Sequence, residues 1–156
     1  MIDEPTIRRV ERQECALVAL VVPRNQIQHV MGPAIQEVMS VVSAQGIGPT
    51  GPVYSYHRKM DANTFDFEVG VPVSAPVTPT GRVVAGALRA ALVATTIYWG
   101  PYEGLAEAWG EFGGWIDGQG RRAATDLWER YLTGPESGPD PSGWSTELNR
   151  PIEEQL

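Results

Sequence analysis

The sequence predicts an α+β fold, a tandem β-α-β-β repeat whose sheet is mainly antiparallel, and three observations carry that prediction. Apolar runs of strand length and segments of helical periodicity follow one another as strand, helix, strand, strand, twice over. The first helical segment ends on Gln45-Gly46 and the second on Gln119-Gly120, an offset of 74 residues. Tyr56 falls on Tyr131 at an offset of 75, which sets Tyr54 on Glu129, and Glu68-x-x-x-Pro72 falls on Glu147-x-x-x-Pro151 at 79. Slowly rising offsets are what loop insertions in a duplicated unit produce. The chain therefore reads as one domain over 1–156 with pseudo-repeats at about 14–73 and 82–152. Pseudo-twofold symmetry would set both helices on one face and a ligand cleft on the other.

Taken in order, residues 1–13 are polar and extended. The run from Cys15 to Val22, stopped by Pro23, has the length and β-branched content of a strand buried on both faces. Asn25 is a candidate N-cap. From Gln26 to about Gln45, Ile27, Val30, Met31, Ala34, Ile35, Val38, Val41 and Val42 recur at three-and-four spacing. Pro33 inside this pattern predicts a kink, or a start near Gly32-Pro33, and Gly46 predicts the stop. A strand over Pro52–Arg58 and another over Thr64–Val73 follow, turned by Asp61-Ala62-Asn63. In the second of these Phe65, Phe67, Val69, Val71 and Val73 form the core face.

The second half opens with a short strand at Val83–Ala85 and a longer one at Ala90–Trp99. Gly100-Pro101-Tyr102-Glu103-Gly104 leads into a helix with Leu105, Ala108, Trp109, Phe112, Trp115 and Ile116 on one side, ending at Gly118-Gln119-Gly120. The strand Asp126–Leu132 is closed by Thr133-Gly134-Pro135, and the last strand spans Gly143–Ile152 beyond the loop Glu136–Pro141.

Composition narrows the function. A hydrophobic fraction of 42% and a charged fraction of 20% are those of a globular domain with a core of its own. A net charge of −7, with only Arg8-Arg9 and Arg121-Arg122 as basic clusters, argues against direct nucleic-acid binding. No apolar run approaches the ~20 residues of a membrane span. The N-terminus carries no signal-peptide core, so a cytoplasmic location and no membrane association are expected. With two histidines and one cysteine, no metal site and no cofactor are expected, and Cys15 reads as a small core residue rather than a nucleophile. Oligomeric state is left open.

Candidate site residues come from strand parity. Glu129 and Tyr131 share a face of their strand, with Trp128, Arg130 and Leu132 on the other. Isolated polar residues on a strand are ordinary surface. The repeat changes the weighting, because parity gathers Tyr54, Tyr56, Glu68, Glu129, Tyr131 and Glu147 on the side opposite the helices. Trp109 and Trp115 read as core, while Trp99 and Tyr102, at a strand-to-helix junction, fit a pocket rim or a surface equally well.

The segments Trp99-Gly100-Pro101-Tyr102-Glu103-Gly104-Leu105, Trp128-Glu129-Arg130-Tyr131-Leu132 and Thr146-Glu147-Leu148-Asn149-Arg150-Pro151 resemble the GyrI-like small-molecule-binding family. That family includes the effector-binding domains of AraC-type and MerR-type multidrug regulators. The resemblance implies paired β-α-β-β units of SHS2 type around a central cleft. It also implies a buried glutamate, here Glu129, that meets cationic aromatic drugs. Two departures stand out. Trp99 occupies a position that is often His, and the 13 leading residues cannot hold a helix-turn-helix, so a stand-alone protein is expected rather than a one-component regulator.

Three functions follow as expectations. The first is a binder of hydrophobic or cationic aromatic small molecules, through electrostatic attraction to the carboxylate and cation–π contacts. Its residues would be Tyr54, Tyr56, Glu68, Trp99, Tyr102, Glu129, Tyr131 and Glu147. The resemblance also implies a hydrolase that opens cyclopropane rings of DNA-alkylating natural products. Glu129 and Glu147 would then be the acid/base pair, with Tyr131 and Tyr56 orienting. The third is a protein-interaction module of gyrase-inhibitor type, for which −7 is a modest charge.

Overall fold

The computed structural model of the protein describes residues 2–60, 64–134 and 138–153, with no description of the side chains of Arg24, Ile27, Gln28, Lys59, Met60, Thr64 and Phe65. The turn at Asp61-Ala62-Asn63, the core role of Phe65 and the start of the loop at Glu136 lie outside the described residues. The chain forms two compact units, one of Glu11–Ala90 and one of Met1–Val10 with Ala91–Leu156. The α+β prediction holds, with antiparallel strand pairing throughout both units and one long helix in each.

In the unit of residues 11–90, β2 (Gln13–Pro23) lies between β4 (Thr64–Pro72) and β5 (Val84–Leu88), and β3 (Tyr54–Met60) pairs with the far side of β4. The helix α1 (Ile27–Gln45) packs through Val38 and Val42 on Ala16, Val18 and Val71, and through Ala34 on Phe67 and Val69. Each such aliphatic side chain contributes roughly 1.5–3 kcal/mol on burial. β2 is buried on both faces only at its start. Cys15 to Val18 are buried, whereas Val21 is 70% exposed. The reason is pairing: β5 reaches only Gln13–Leu17, so beyond Leu17 that side of β2 has no partner strand within its unit among the described residues.

The ends of α1 correct one expectation and bear out another. A 3-10 turn, Arg24–Gln26, precedes the helix, and Gln26 rather than Asn25 stands at the N-cap without a side-chain bond. Pro33 lies inside a continuous helix. It is exposed, so the carbonyl deprived of its partner can be hydrated. Gly46 closes the helix at φ 70°, donating to Ser43 and Val42, as predicted.

In the other unit, β6 (Ala91–Trp99) lies between β1 (Thr6–Val10) and β8 (Ser145–Pro151), with β7 (Leu127–Thr133) on the far side of β8. The helix α2 (Leu105–Gly118) packs Ala108, Phe112 and Ile116 against Ala94, Tyr98, Leu148 and Ile152. The internal plan is the same in both units: helix-leading strand in the middle, fourth strand beside it, third strand outside. What differs from the repeats drawn at 14–73 and 82–152 is the edge strand. Val84–Leu88 completes the unit before it, and the leading residues, expected only to be extended, form β1 of the unit containing α2. No described helix is long and apolar enough to cross a membrane.

Candidate functional site

Glu129 stands on β7 opposite Leu148 of β8, whose side chain is part of the core beneath α2. Directly opposed residues share a sheet face. Glu129 therefore points to the helix side, and α2 reaches it: the Trp109 indole Nε1 donates to Glu129 Oε2 at 2.6 Å. Tyr131, two residues along, donates its hydroxyl to Oε1 at 2.9 Å. Each carboxylate oxygen thus holds one neutral donor and keeps acceptor capacity. The residue retains some exposed surface, yet its carboxyl is recessed enough that burial pushes its pKa up, against the opposing pull of the Trp109 and Tyr131 hydrogen bonds.

Aromatic rings extend the site. Tyr102 meets Tyr131 edge-on at 6.1 Å and lies 5.4 Å from the ring of Trp144. The turn that presents Tyr102 is shaped by Tyr98, whose hydroxyl donates to the Pro101 carbonyl at 2.8 Å. A Cβ on Gly104 would come within 2.1 Å of that hydroxyl, and Gly100 adopts φ 144°, so the Gly-Pro-Tyr-Glu-Gly sequence is what lets the turn close over Tyr98. Trp99 takes no part. Its indole donates to Asp3 at 3.2 Å and the residue is 43% exposed.

Glu147 is on the other face of the same strands. It sits opposite Arg130, whose Nη1 donates to its Oε1 at 3.0 Å, and Asn149 Nδ2 donates to the same oxygen at 2.9 Å. Arg8 lies 3.9 Å from Oε2. The predicted gathering of Glu129, Tyr131 and Glu147 on one face is therefore corrected: the first two face α2 and Glu147 faces away.

In the unit of residues 11–90, Tyr56 pairs with Glu68 and Tyr54 with Gly70, on the face away from α1, as parity predicted. Tyr54 is buried over Gly70, where a Cβ would come within 2.7 Å of its hydroxyl. Its pKa is pushed far up by burial, with Cys15 beside it. The Cys15 thiol is likewise raised by burial and sits in the core as expected. Glu68 is ion-paired with Arg58; burial pushes its pKa up while Arg58 pulls it down.

The misplaced face has a definite origin. Tyr54 pairs with Gly70 and Trp128 with Asn149, and both partners keep the offset of 79. Tyr54 therefore corresponds to Trp128 at an offset of 74, the offset of the helices, and not to Glu129 at 75. A one-residue slip exchanges the two faces of a strand. The true counterparts of Glu129 and Tyr131 are Ser55 and His57, which form their own contact, Oγ to Nε2 at 2.6 Å, with His57 stacked on Phe67. Trp109, read as core, packs on the cluster beneath α2 and also bonds Glu129, while Trp144 and Arg130 were not singled out. Carrying the helix offset of 74 into the third strand would have turned Glu129 towards Trp109.

The described residues thus set a recessed acid beside tryptophan and tyrosine side chains in an antiparallel α+β unit. Residues 3–153 match the GyrI-like small molecule binding domain, and the chain belongs to that family. The crystal structure of the EcmrR C-terminal domain is similar at 20% identity and TM-score 0.84, over 97% of this chain and 98% of that one. In the EcmrR–DNA complex the same likeness, at 21% identity, spans 58% of the EcmrR chain. A hydrolase from Listeria innocua is similar at 15% identity and TM-score 0.69, over 96% of this chain and 92% of that one. SAV2435 bound to tetraphenylphosphonium is similar at 10% identity and TM-score 0.64, over 97% of this chain and 94% of that one. No curated protein matches the chain.

Proposed function

We propose that the protein binds hydrophobic organic cations at Glu129, among Trp109, Tyr131, Tyr102 and Trp144, as a sequestering protein or sensor. One observation carries this reading. Glu147 and Glu68 have arginine partners, but among the described residues no basic side chain pairs with Glu129. A recessed carboxylate held only by neutral donors offers an uncompensated negative charge in a low-dielectric setting, where attraction to a cation is strengthened. The surrounding rings supply stacking and cation–π contacts. The tetraphenylphosphonium bound by SAV2435 supports the ligand class.

Calorimetry with tetraphenylphosphonium and with neutral triphenylphosphine oxide tests it. Glu129→Gln should weaken the phosphonium by about 100-fold, the scale of losing one member of a desolvated charge pair, and leave the oxide nearly unchanged. Equal losses for both compounds would remove Glu129 as the charge partner.

A hydrolytic reading is favoured by the raised proton affinity of Glu129 beside the Tyr131 hydroxyl, a pairing suited to general acid chemistry. The likeness to a Listeria innocua hydrolase adds fold and nothing finer. With Glu147 turned to the opposite face and engaged by Arg130, this reading rests on Glu129 and Tyr131 alone. Mass spectrometry of a cyclopropane-bearing alkylator should reveal a hydrated, ring-opened product with wild type and none with Glu129→Gln. Intact compound in both samples would eliminate hydrolysis.

A further inference from the structure

Thr146 is fully buried, and its hydroxyl Oγ1 has no hydrogen-bond partner among the described residues. Leaving such a group unsatisfied costs about 1–3 kcal/mol, so its position matters. Thr146 lies opposite Tyr131 on β7 and opposite Tyr98 on β6. It therefore emerges on the α2 side, beside Tyr131 across the strand pair. On β8 it is two residues from Leu148, the residue that faces Glu129, which makes Thr146 and Glu129 diagonal neighbours across the strand pair.

The counterpart of Thr146 in the other unit, at the shared offset of 79, is Phe67. That ring is fully buried and stacks on His57 at 5.3 Å. At this position one unit sets a buried phenyl ring, and the other a small side chain whose hydroxyl has no partner among the described residues.

Glu129 completes the argument. Oε2 holds the Trp109 indole and Oε1 the Tyr131 hydroxyl, so each oxygen has room for one further donor. Diagonal neighbours on a strand pair lie roughly 7–8 Å apart, within reach of a long side chain such as that of Glu129, so one ammonium-bearing ligand can meet both acceptors.

Resting on the cation-binding reading above, we infer that the site selects cations that carry N–H donors, protonated amines rather than fully alkylated onium ions. Thr146 Oγ1 is then the specificity-determining acceptor beside Glu129. A quaternary centre satisfies the charge of Glu129 but leaves the Thr146 hydroxyl as unpaired as before. A protonated primary amine answers both.

The experiment uses two probes with the same ring and charge, 9-anthracenylmethylammonium and its N,N,N-trimethyl derivative, titrated by fluorescence at pH 7 into wild type, Thr146→Val and Thr146→Ser. Wild type should prefer the primary ammonium by about tenfold, the lower end of a hydrogen bond to a charged group. Thr146→Val, which keeps the shape and removes the hydroxyl, should weaken the primary ammonium by about five- to tenfold and leave the trimethyl compound unchanged, while Thr146→Ser restores the preference. Equal affinity of the two probes for wild type, or a Thr146→Val effect that is absent or the same for both, overturns the inference while the cation reading stands. If wild type binds neither probe and does not bind tetraphenylphosphonium, the cation reading itself falls. Circular dichroism of each variant separates these results from loss of fold.

Discussion

The two units use one frame in opposite ways, as their equivalent positions show. At an offset of 74 the helix residues Ala34, Val38 and Val42 correspond to Ala108, Phe112 and Ile116, all buried against the sheet. One helical position breaks the likeness: Ile35 packs on the cluster of Phe67 and Val69, while Trp109 extends an indole N–H to Glu129. On the third strand Ser55 and His57 bond to each other, and Glu129 and Tyr131 do the same. On the fourth strand Phe67 gives way to Thr146. The first set is a serine and a histidine in mutual contact, backed by a phenyl ring. The second contains a carboxylate, two neutral donors and an unpartnered hydroxyl. The unit of residues 11–90 thus fills these positions by packing, while the other sets a carboxyl with two neutral donors there.

The comparison can be broken most severely in the packed unit. Phe67→Ala should lower stability by about 3–5 kcal/mol, the usual range for a fully buried aromatic, as read from urea unfolding midpoints. A loss below about 1 kcal/mol would mean that the position is no more filled than its Thr146 counterpart.

A smaller effect of opposite sign is expected in the unit that contains Glu129. The Glu129 carboxyl has a raised proton affinity in the folded protein, so the folded state holds its proton over a pH range in which the unfolded chain has lost it. Stability from this group is greatest below the ordinary carboxylate range and is lost as pH rises through the raised folded value. Glu129→Gln should therefore be more stable than wild type at neutral pH, with the gap closing towards acid pH. Denaturation midpoints of both proteins across pH 4 to 8 check this. A gap that is constant with pH would show that Glu129 does not titrate differently on folding.

Local signals were enough for most elements. The Gly46 stop, the apolar spacing in α1 and α2, the alternation in β4 and the Gly-Pro-Tyr entry to α2 each act over a few residues, so they are legible in order along the chain. Glu129 and Tyr131 stood out as candidates for the same reason, as polar residues on a half-buried strand, and Tyr102 as an aromatic residue at a strand-to-helix junction.

Fold class and duplication follow from signals within the sequence, which also singled out Glu129 as a candidate acid. Tertiary packing set which face that acid takes, that Trp109 reaches it, that Arg130 pairs with Glu147 instead, and that Thr146 has no partner among the described residues. Those outcomes depend on strand register, which is set by hydrogen bonds between segments far apart in the chain, and a slip of a single residue exchanges every side chain from one face to the other.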